Sequence, residues 1–294
     1  MRIVVTGKSG QVVTALIERG ALASVDIIPL GRPEFDLANV GAIAAALTST
    51  RPDVIVSAAA YTAVDKAESE PELAFAVNAE APRAIAAAAA QLGVPVVHLS
   101  TDYVFDGAKP TPYFEDDATG PLGVYGKSKL AGEAAVRSTA VDHAILRTAW
   151  VYSPFGNNFL KTMLRVAKDR PVLRVVDDQN GTPTSALDIA DAILAISRNM
   201  TARPDDQGLR GTFHLVGTGE ASWADFATEI FARSAALSGP AAVVERITTA
   251  EYPTPAPRPA NSRLATDKLF AAHGVRLPAW QVSTGDVVRR LVGV

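Results

Sequence analysis

Tyr125 and Lys129 stand four residues apart in VYGKSKLAGE (124–133). On a helix that spacing puts a phenol and an ammonium one turn apart on the same face. A free phenol titrates near ~10, too high to exchange protons readily at neutral pH. A neighbouring ammonium stabilises the phenolate and brings that value down. Such a pair suits a ketone that accepts hydride and needs one proton for its developing alkoxide. The lysine can also hydrogen-bond a cofactor ribose and so fix the nicotinamide over the reacting carbon. The run STDYVFDG (100–107) offers a third group, Thr101, as a hydroxyl donor to the same carbonyl oxygen. A Y-x-x-x-K match alone is common on exposed helix faces, so the surrounding elements have to decide.

A cofactor loop lies upstream. TGKSGQVV (6–13) closes one strand and opens a helix. Gly7 permits the tight turn, Gly10 lets backbone approach a pyrophosphate, and the amides near Gly10, Gln11 and Val12 face it along the helix dipole. The third small residue of such loops is here Val13, which predicts a helix set slightly further out. At the end of the second strand, LGRPEF (30–35) has Gly31 and Arg32 where an acid would hold a ribose 2′-hydroxyl. Arginine suits a 2′-phosphate, so NADPH is the expected cofactor and NADH the second candidate. Asp36 and Leu37 are candidates for an adenine clamp. In SAAAYTAVD (57–65), small side chains would let backbone approach the nicotinamide ribose.

These groups need strands and helices to position them. RIVVT (2–6), VDIIPL (25–30), DVIVSA (53–58), VPVVHLS (94–100) and HAILRT (143–148) read as buried strands separated by alanine- and leucine-rich helices. That order predicts an α/β protein: a Rossmann-type, doubly wound parallel sheet with ligands at the strands' carboxyl ends. Residues 1–150 form the expected NAD(P)-binding domain. Residues 151–294 form mainly a smaller α/β substrate-binding lobe, partly interleaved with the first. Helices are expected near 158–168, 187–197 and 224–236, strands near 172–176 and 213–217, and an irregular path through TPAPRPANSRL (254–264).

With 294 residues, 48% hydrophobic and 20% charged, the chain has ordinary globular composition. A net charge of −3 without basic blocks argues against nucleic acid. The apolar run 84–90 is too short to span a membrane, and no cysteine is present for disulfide or thiolate chemistry. A soluble cytoplasmic protein is expected. His98, His143, His214 and His273 are isolated, so no metal is expected.

Taken together, these residues resemble the extended short-chain dehydrogenase/reductases, and within them the dTDP-4-dehydrorhamnose reductase branch. The likeness rests on RPDVIVSAAAYTAVDKAESEPELA (51–74), VVHLSTDYVFDG (96–107), PLGVYGKSKLAGE (121–133), RTAWVY (147–152), GNNFLKTMLRVAK (156–168), DDQNGTPT (177–184), FHLVG (213–217) and YPTPAPRPANSRL (252–264). It implies NAD(P)H-dependent reduction of the 4-keto group of a dTDP-activated deoxysugar. Tyr125 matches the proton donor, Lys129 its partner and Thr101 a tuning residue. Thr101, Asp102 and Trp150 match sugar-contacting positions. Gly10, Gln11, Val12, Asp36, Leu37, Ala60, Tyr61, Thr62, Tyr125 and Lys129 match cofactor positions. Arg258 and Arg263 are candidates for the nucleotide's pyrophosphate or for ordinary surface residues.

Two departures from that pattern stand out. Gly31 replaces an acid that some members carry, in keeping with NADPH. Ala15, Leu187 and Arg290 fall where some members hold magnesium with glutamates, which leaves no oxygen ligands and points to a monomer or weak homodimer. The alternatives are a sister 4-keto-6-deoxysugar reductase of other stereochemistry, a non-catalytic NADP-binding regulatory subunit, and an epimerase or dehydratase with the same first half.

Overall fold

The computed structural model describes residues 1–293. The five β-branched runs become strands β1 (Arg2–Thr6), β2 (Asp26–Leu30), β3 (Val54–Ser57), β4 (Val96–Thr101) and β5 (His143–Thr148). Between them lie helices α1 (Gln11–Leu22), α2 (Val40–Ser49), α3 (Ala81–Leu92) and α4 (Val124–Thr139). The second half adds α5 (Phe159–Val166), β6 (Val172–Val176), α6 (Ala186–Ala202), β7 (Gly211–His214), α7 (Trp223–Ala235), β8 (Val243–Ile247) and α8 (Trp280–Val292). Six strands form one parallel sheet in the order β7-β5-β4-β3-β1-β2.

Alternation along each strand feeds two cores. Ile3, Val5, Val56 and Leu146 face α1 and α6 on one side. Val4, Ile55, Val96 and Ile145 face α2 and α3 on the other. The chain runs outward from β1 to β2, then returns to place β3 on the opposite side of β1. This reversal opens a crevice at the carboxyl ends of β1 and β3, where open α/β sheets bind ligands.

Residues from the second half enter the first core. Ile189 and Ile193 of α6 pack with Leu16 of α1, and β7 extends the sheet beside β5. A separate core, with Leu160, Leu173, Phe226, Ile230, Trp280 and Val288, supports the smaller lobe. There β6 pairs in parallel with β8, a strand the sequence pattern did not reveal. Only Ile247 of β8 is buried, so VVERI carries little alternation. Helix α8 also escaped notice, because its buried face includes Ser283 and Thr284 alongside Trp280, Val287 and Val288.

The proline-rich stretch contributes no helix or sheet strand. It is tied down by isolated bridges between Leu264 and Tyr113 and between Asn261 and Asn180. Among the described residues no helix is long and apolar enough to cross a membrane.

Candidate active site

The glycine loop sits at the crevice as the alternation requires. Gly7 has φ +106°, and a Cβ there would lie 3.1 Å from Val13 Cγ2. The space that Gly7 leaves is thus filled by Val13, and the larger residue is accommodated by the missing Cβ. Gly10 caps α1, and a Cβ on it would meet only that Val13 methyl, at 3.9 Å. Nothing within the protein requires glycine there, so the open approach is the feature that fits a pyrophosphate. Gln11 turns its side chain toward the second half. Its Oε1 accepts from Ser153 Oγ at 2.8 Å and Asn158 Nδ2 at 2.9 Å, and its Nε2 donates to the Val151 carbonyl at 3.4 Å.

Gly31 has a physical reason to lack an acid. A Cβ at this position would fall 2.9 Å from Lys8 N and 3.1 Å from Gly7 C, so any side chain would displace the glycine loop. Arg32 is exposed, while the Glu34 carboxylate is held by Lys8. Leu37 lies in the core with Phe35 and Ile43, and Asp36 stands outside it, accepting from the Ala38 amide. Any clamp at this pair would therefore use Asp36 and backbone rather than the leucine side chain.

On the other side of the crevice, Thr6 Oγ1 accepts from the amides of Ala58 and Ala59, each at 3.1 Å. Ala60 and Tyr61 follow, half-buried, with Thr62 exposed. A buried residue, Asn78, holds this loop: Oδ1 accepts from the Tyr61 amide at 2.8 Å and Nδ2 donates to the Tyr61 carbonyl at 3.0 Å. The same Nδ2 donates to Ser128 Oγ at 3.0 Å, and Ser128 donates to the Tyr125 carbonyl at 2.8 Å. One asparagine thereby links the nicotinamide-side loop to the catalytic helix. It sits in a single π-turn, Ala76–Glu80, a distortion found disproportionately at functional sites. The sequence offered no local signal for it.

Helix α4 approaches closely because it carries glycines. A Cβ at Gly126 would lie 2.2 Å from the Tyr103 carbonyl, and one at Gly132 only 2.1 Å from the Asn78 carbonyl. Tyr125 is on the first turn of α4, with Tyr103 edge-on at 5.5 Å. Lys129 follows one turn later, buried, its Nζ donating to the Leu99 carbonyl at 2.6 Å. Thr101 ends β4, and its hydroxyl donates to Asp102 Oδ1 at 3.0 Å while accepting from the Tyr103 amide.

The electrostatics correct one expectation. Burial pushes the Tyr125 phenol up to about 12, opposed by the Thr101 hydroxyl and aided by the Asp102 carboxylate. The downward shift anticipated from Lys129 does not prevail, because desolvation of the phenolate is the larger effect. Burial also lowers Lys129 to about 8, with Glu133 acting the other way. The phenol is therefore held in its acid form at neutral pH, with an ammonium one turn behind it.

Asp102 is buried, and its Oδ2 has no hydrogen-bond partner. Burial raises its carboxyl to about 6, against hydrogen bonds from Ser262 and Thr101. The folded value exceeds the unfolded one, so the carboxylate destabilises the fold above about pH 6, and that penalty fades as pH falls toward the unfolded value near ~4. Asp102→Asn should therefore raise the unfolding free energy at about pH 7.5 by on the order of 3 kcal/mol. Denaturant melts at several pH values would check this, and the gain should disappear near about pH 4.

Across the cleft, Trp150 adopts φ +49° and stacks on Trp223 with ring centroids 3.7 Å apart. A Cβ at Gly181 would meet the Trp150 indole at 2.5 Å, so that glycine makes room for the ring. The two arginines of the proline-rich stretch part company. Arg263 is committed to Glu220, Asn261 and the Pro110 carbonyl. Arg258 binds Asp65 through Nη2 at 2.8 Å, while its buried Nη1 has no hydrogen-bond partner. Among the described residues, no three His, Asp or Glu side chains gather as metal ligands.

The family model described as the RmlD substrate binding domain matches residues 1–292. The chain belongs to this family. Its similarity to individual members of the RmlD family spans essentially whole chains. A dTDP-4-dehydrorhamnose reductase of Sinorhizobium fredii is 57% identical over 292 residues, covering 99% of this chain and 97% of the relative. A solved dTDP-4-dehydrorhamnose reductase of Clostridium acetobutylicum is 39% identical with a TM-score of 0.89, covering 99% of both chains. Another, from Bacillus anthracis and in complex with NADP, is 34% identical with a TM-score of 0.90, covering 98% of this chain and 99% of that one. The six-stranded parallel sheet is thus the family's Rossmann-like fold.

Proposed function

We propose that this protein is a dTDP-4-dehydrorhamnose reductase, which uses NADPH to reduce the 4-keto group of dTDP-4-dehydro-β-L-rhamnose and so completes dTDP-L-rhamnose. The observation that carries the reading is the convergence of Thr101, Tyr125 and Lys129 at the carboxyl edge of β4 and the start of α4, in a chain of the RmlD family. The open cradle at Gly10 and the exposed Arg32 fit a phosphorylated dinucleotide.

NADPH supplies the hydride when bound. The protein's own part is acid catalysis and positioning. Tyr125, protonated because desolvation disfavours its phenolate, donates its proton to the sugar oxygen, which becomes more basic than a phenolate as the carbonyl is reduced. Thr101 shares that oxygen as a second donor once its one O–H turns away from Asp102 Oδ1. The ammonium of Lys129 has three N–H donors, and the Leu99 carbonyl takes one. The other two serve ribose hydroxyls, and the positive charge steadies the phenolate left after proton transfer. Trp150, braced by Trp223, gives an apolar plane for the deoxysugar, and the free Nη1 of Arg258 suits the substrate's pyrophosphate.

We place the enzyme in the cytoplasm as a monomer or weak homodimer. Ala15 is fully buried and Arg290 is bound to Glu18, which supports the reading that these positions offer no ligand to a shared hard cation. The decisive assay couples dTDP-4-dehydro-6-deoxyglucose and its 3,5-epimerase to the protein with NADPH or NADH, follows nicotinamide absorbance and identifies the sugar by NMR. Oxidation of NADPH in preference to NADH, with dTDP-L-rhamnose as product, is expected. A different sugar would assign a sister reductase, and no oxidation would leave a cofactor-binding subunit.

A further inference from the structure

One turn beyond Lys129, α4 carries Glu133, which is fully buried although ionisable. Its carboxylate accepts from Arg147 of β5 through two bonds, Nε to Oε1 at 2.9 Å and Nη2 to Oε2 at 2.8 Å. Ser100 Oγ donates to the same Oε1 at 2.6 Å. Leu99, which receives the Lys129 ammonium, is the residue before Ser100 on β4. Consecutive residues of one strand thus hold consecutive turns of the catalytic helix, the first through the lysine and the second through the glutamate. Arg147 is anchored in turn by the Glu115 carbonyl at 3.2 Å. A buried ion pair is a weak source of stability, because desolvation of both charges offsets their attraction. Its placement directly behind a buried catalytic cation calls for another role.

We propose that Glu133 is a positioning residue that keeps Lys129 cationic and fixed toward the cleft, and that Arg147 and Ser100 hold its carboxylate in place. The proposal rests on Lys129 acting as the cofactor-holding cation of the reductase. The other groups around the lysine do not substitute for Glu133. His98 of β4 and His214 of β7 are buried, both held neutral by desolvation. Asp102 follows β4 and acts on Tyr125 rather than on Lys129, and Tyr125 is a neutral phenol. Glu115 is pushed upward by burial and binds the His214 amide. His143 of β5 is also buried and lowered, and Arg137, half-exposed at 3.6 Å from Glu133, adds only positive charge. The carboxylates of residues 64–80, on segments against the outer face of α4, stand partly or fully in solvent, where water screens them.

The test is the pH dependence of kcat/KM for NADPH oxidation, with NADPH affinity measured in parallel. With the phenol at about 12, the alkaline limb of the parent belongs to Lys129, near about pH 8. In Glu133→Gln that limb should move down by about one pH unit, as expected for loss of one buried opposite charge. Activity should stay within about threefold of the parent near pH 6, yet fall about tenfold near pH 8.5, with NADPH affinity weakening together with it. Arg147→Met, which removes the two-bond anchor of the Glu133 carboxylate, should also weaken NADPH affinity, because the charge is no longer held behind Lys129. Glu133→Asp, which retains the charge, should return the limb toward the parent. Should the single variants fold poorly, the Glu133→Gln/Arg147→Met pair removes both charges together and carries the same measurement. An unmoved limb, or an equal loss at every pH, would make Glu133 merely structural and overturn the proposal. Absence of NADPH oxidation by the parent protein would instead remove the reductase reading beneath it.

Discussion

Tyr125→Phe should lose roughly 10²–10⁴-fold in kcat while binding NADPH almost as the parent does, the range typical for loss of a positioned general acid. The substitution removes one oxygen from the first turn of α4 and leaves the ring, its edge-on contact with Tyr103, and Lys129 in place. Desolvation holds this half-buried phenol in its protonated form, so no other group on the helix inherits the task at once. Thr101 can still polarise the oxygen but has no low-energy way to give up its proton, which leaves residual activity rather than none. Stopped-flow hydride transfer and NADPH titration by fluorescence separate the two quantities. Near-parental turnover in this variant would reassign the proton donor.

The second large effect concerns a residue with no chemistry of its own. Gly132→Ala should lower stability by about 3 kcal/mol or more and reduce activity in the fraction that folds. The added Cβ would stand 2.1 Å from the Asn78 carbonyl, a backbone atom in a π-turn whose side chain already makes three hydrogen bonds. Neither partner can yield locally, so α4 must slide or tilt. Tyr125 and Lys129 ride on that helix, and the Tyr61 loop hangs from Asn78, so displacement reaches both sides of the crevice. Denaturant unfolding and kcat measured on the same sample would test the coupling. A parental unfolding midpoint would show that the helix has more freedom than this packing allows.

What the sequence alone determined follows from local periodicity. Short, near-continuous β-branched runs such as RIVVT and HAILRT, separated by helical spacing, specified a parallel sheet, because a buried strand and its crossover helix each carry their own pattern. The glycine loop and the Tyr125–Lys129 spacing were equally legible, since a tight turn and a single helix turn involve only near neighbours. Within the smaller lobe the pattern thinned: β8 lies at an exposed edge, and α8 buries hydroxyls, so neither showed a clear apolar stripe.

Tertiary structure decided everything that depends on which distant segment lies alongside. Asn78 reads as an ordinary polar residue until the fold brings Tyr61 and Ser128 to it. Arg258 and Arg263 look alike in the chain, and only packing shows that one guanidinium keeps a free N–H while the other is fully engaged. The direction of the Tyr125 shift was misjudged from spacing for the same reason. A lysine four residues away is written in the sequence, but desolvation depends on β4, Tyr103 and the rest of the enclosing wall, and in this fold it outweighs the neighbouring charge.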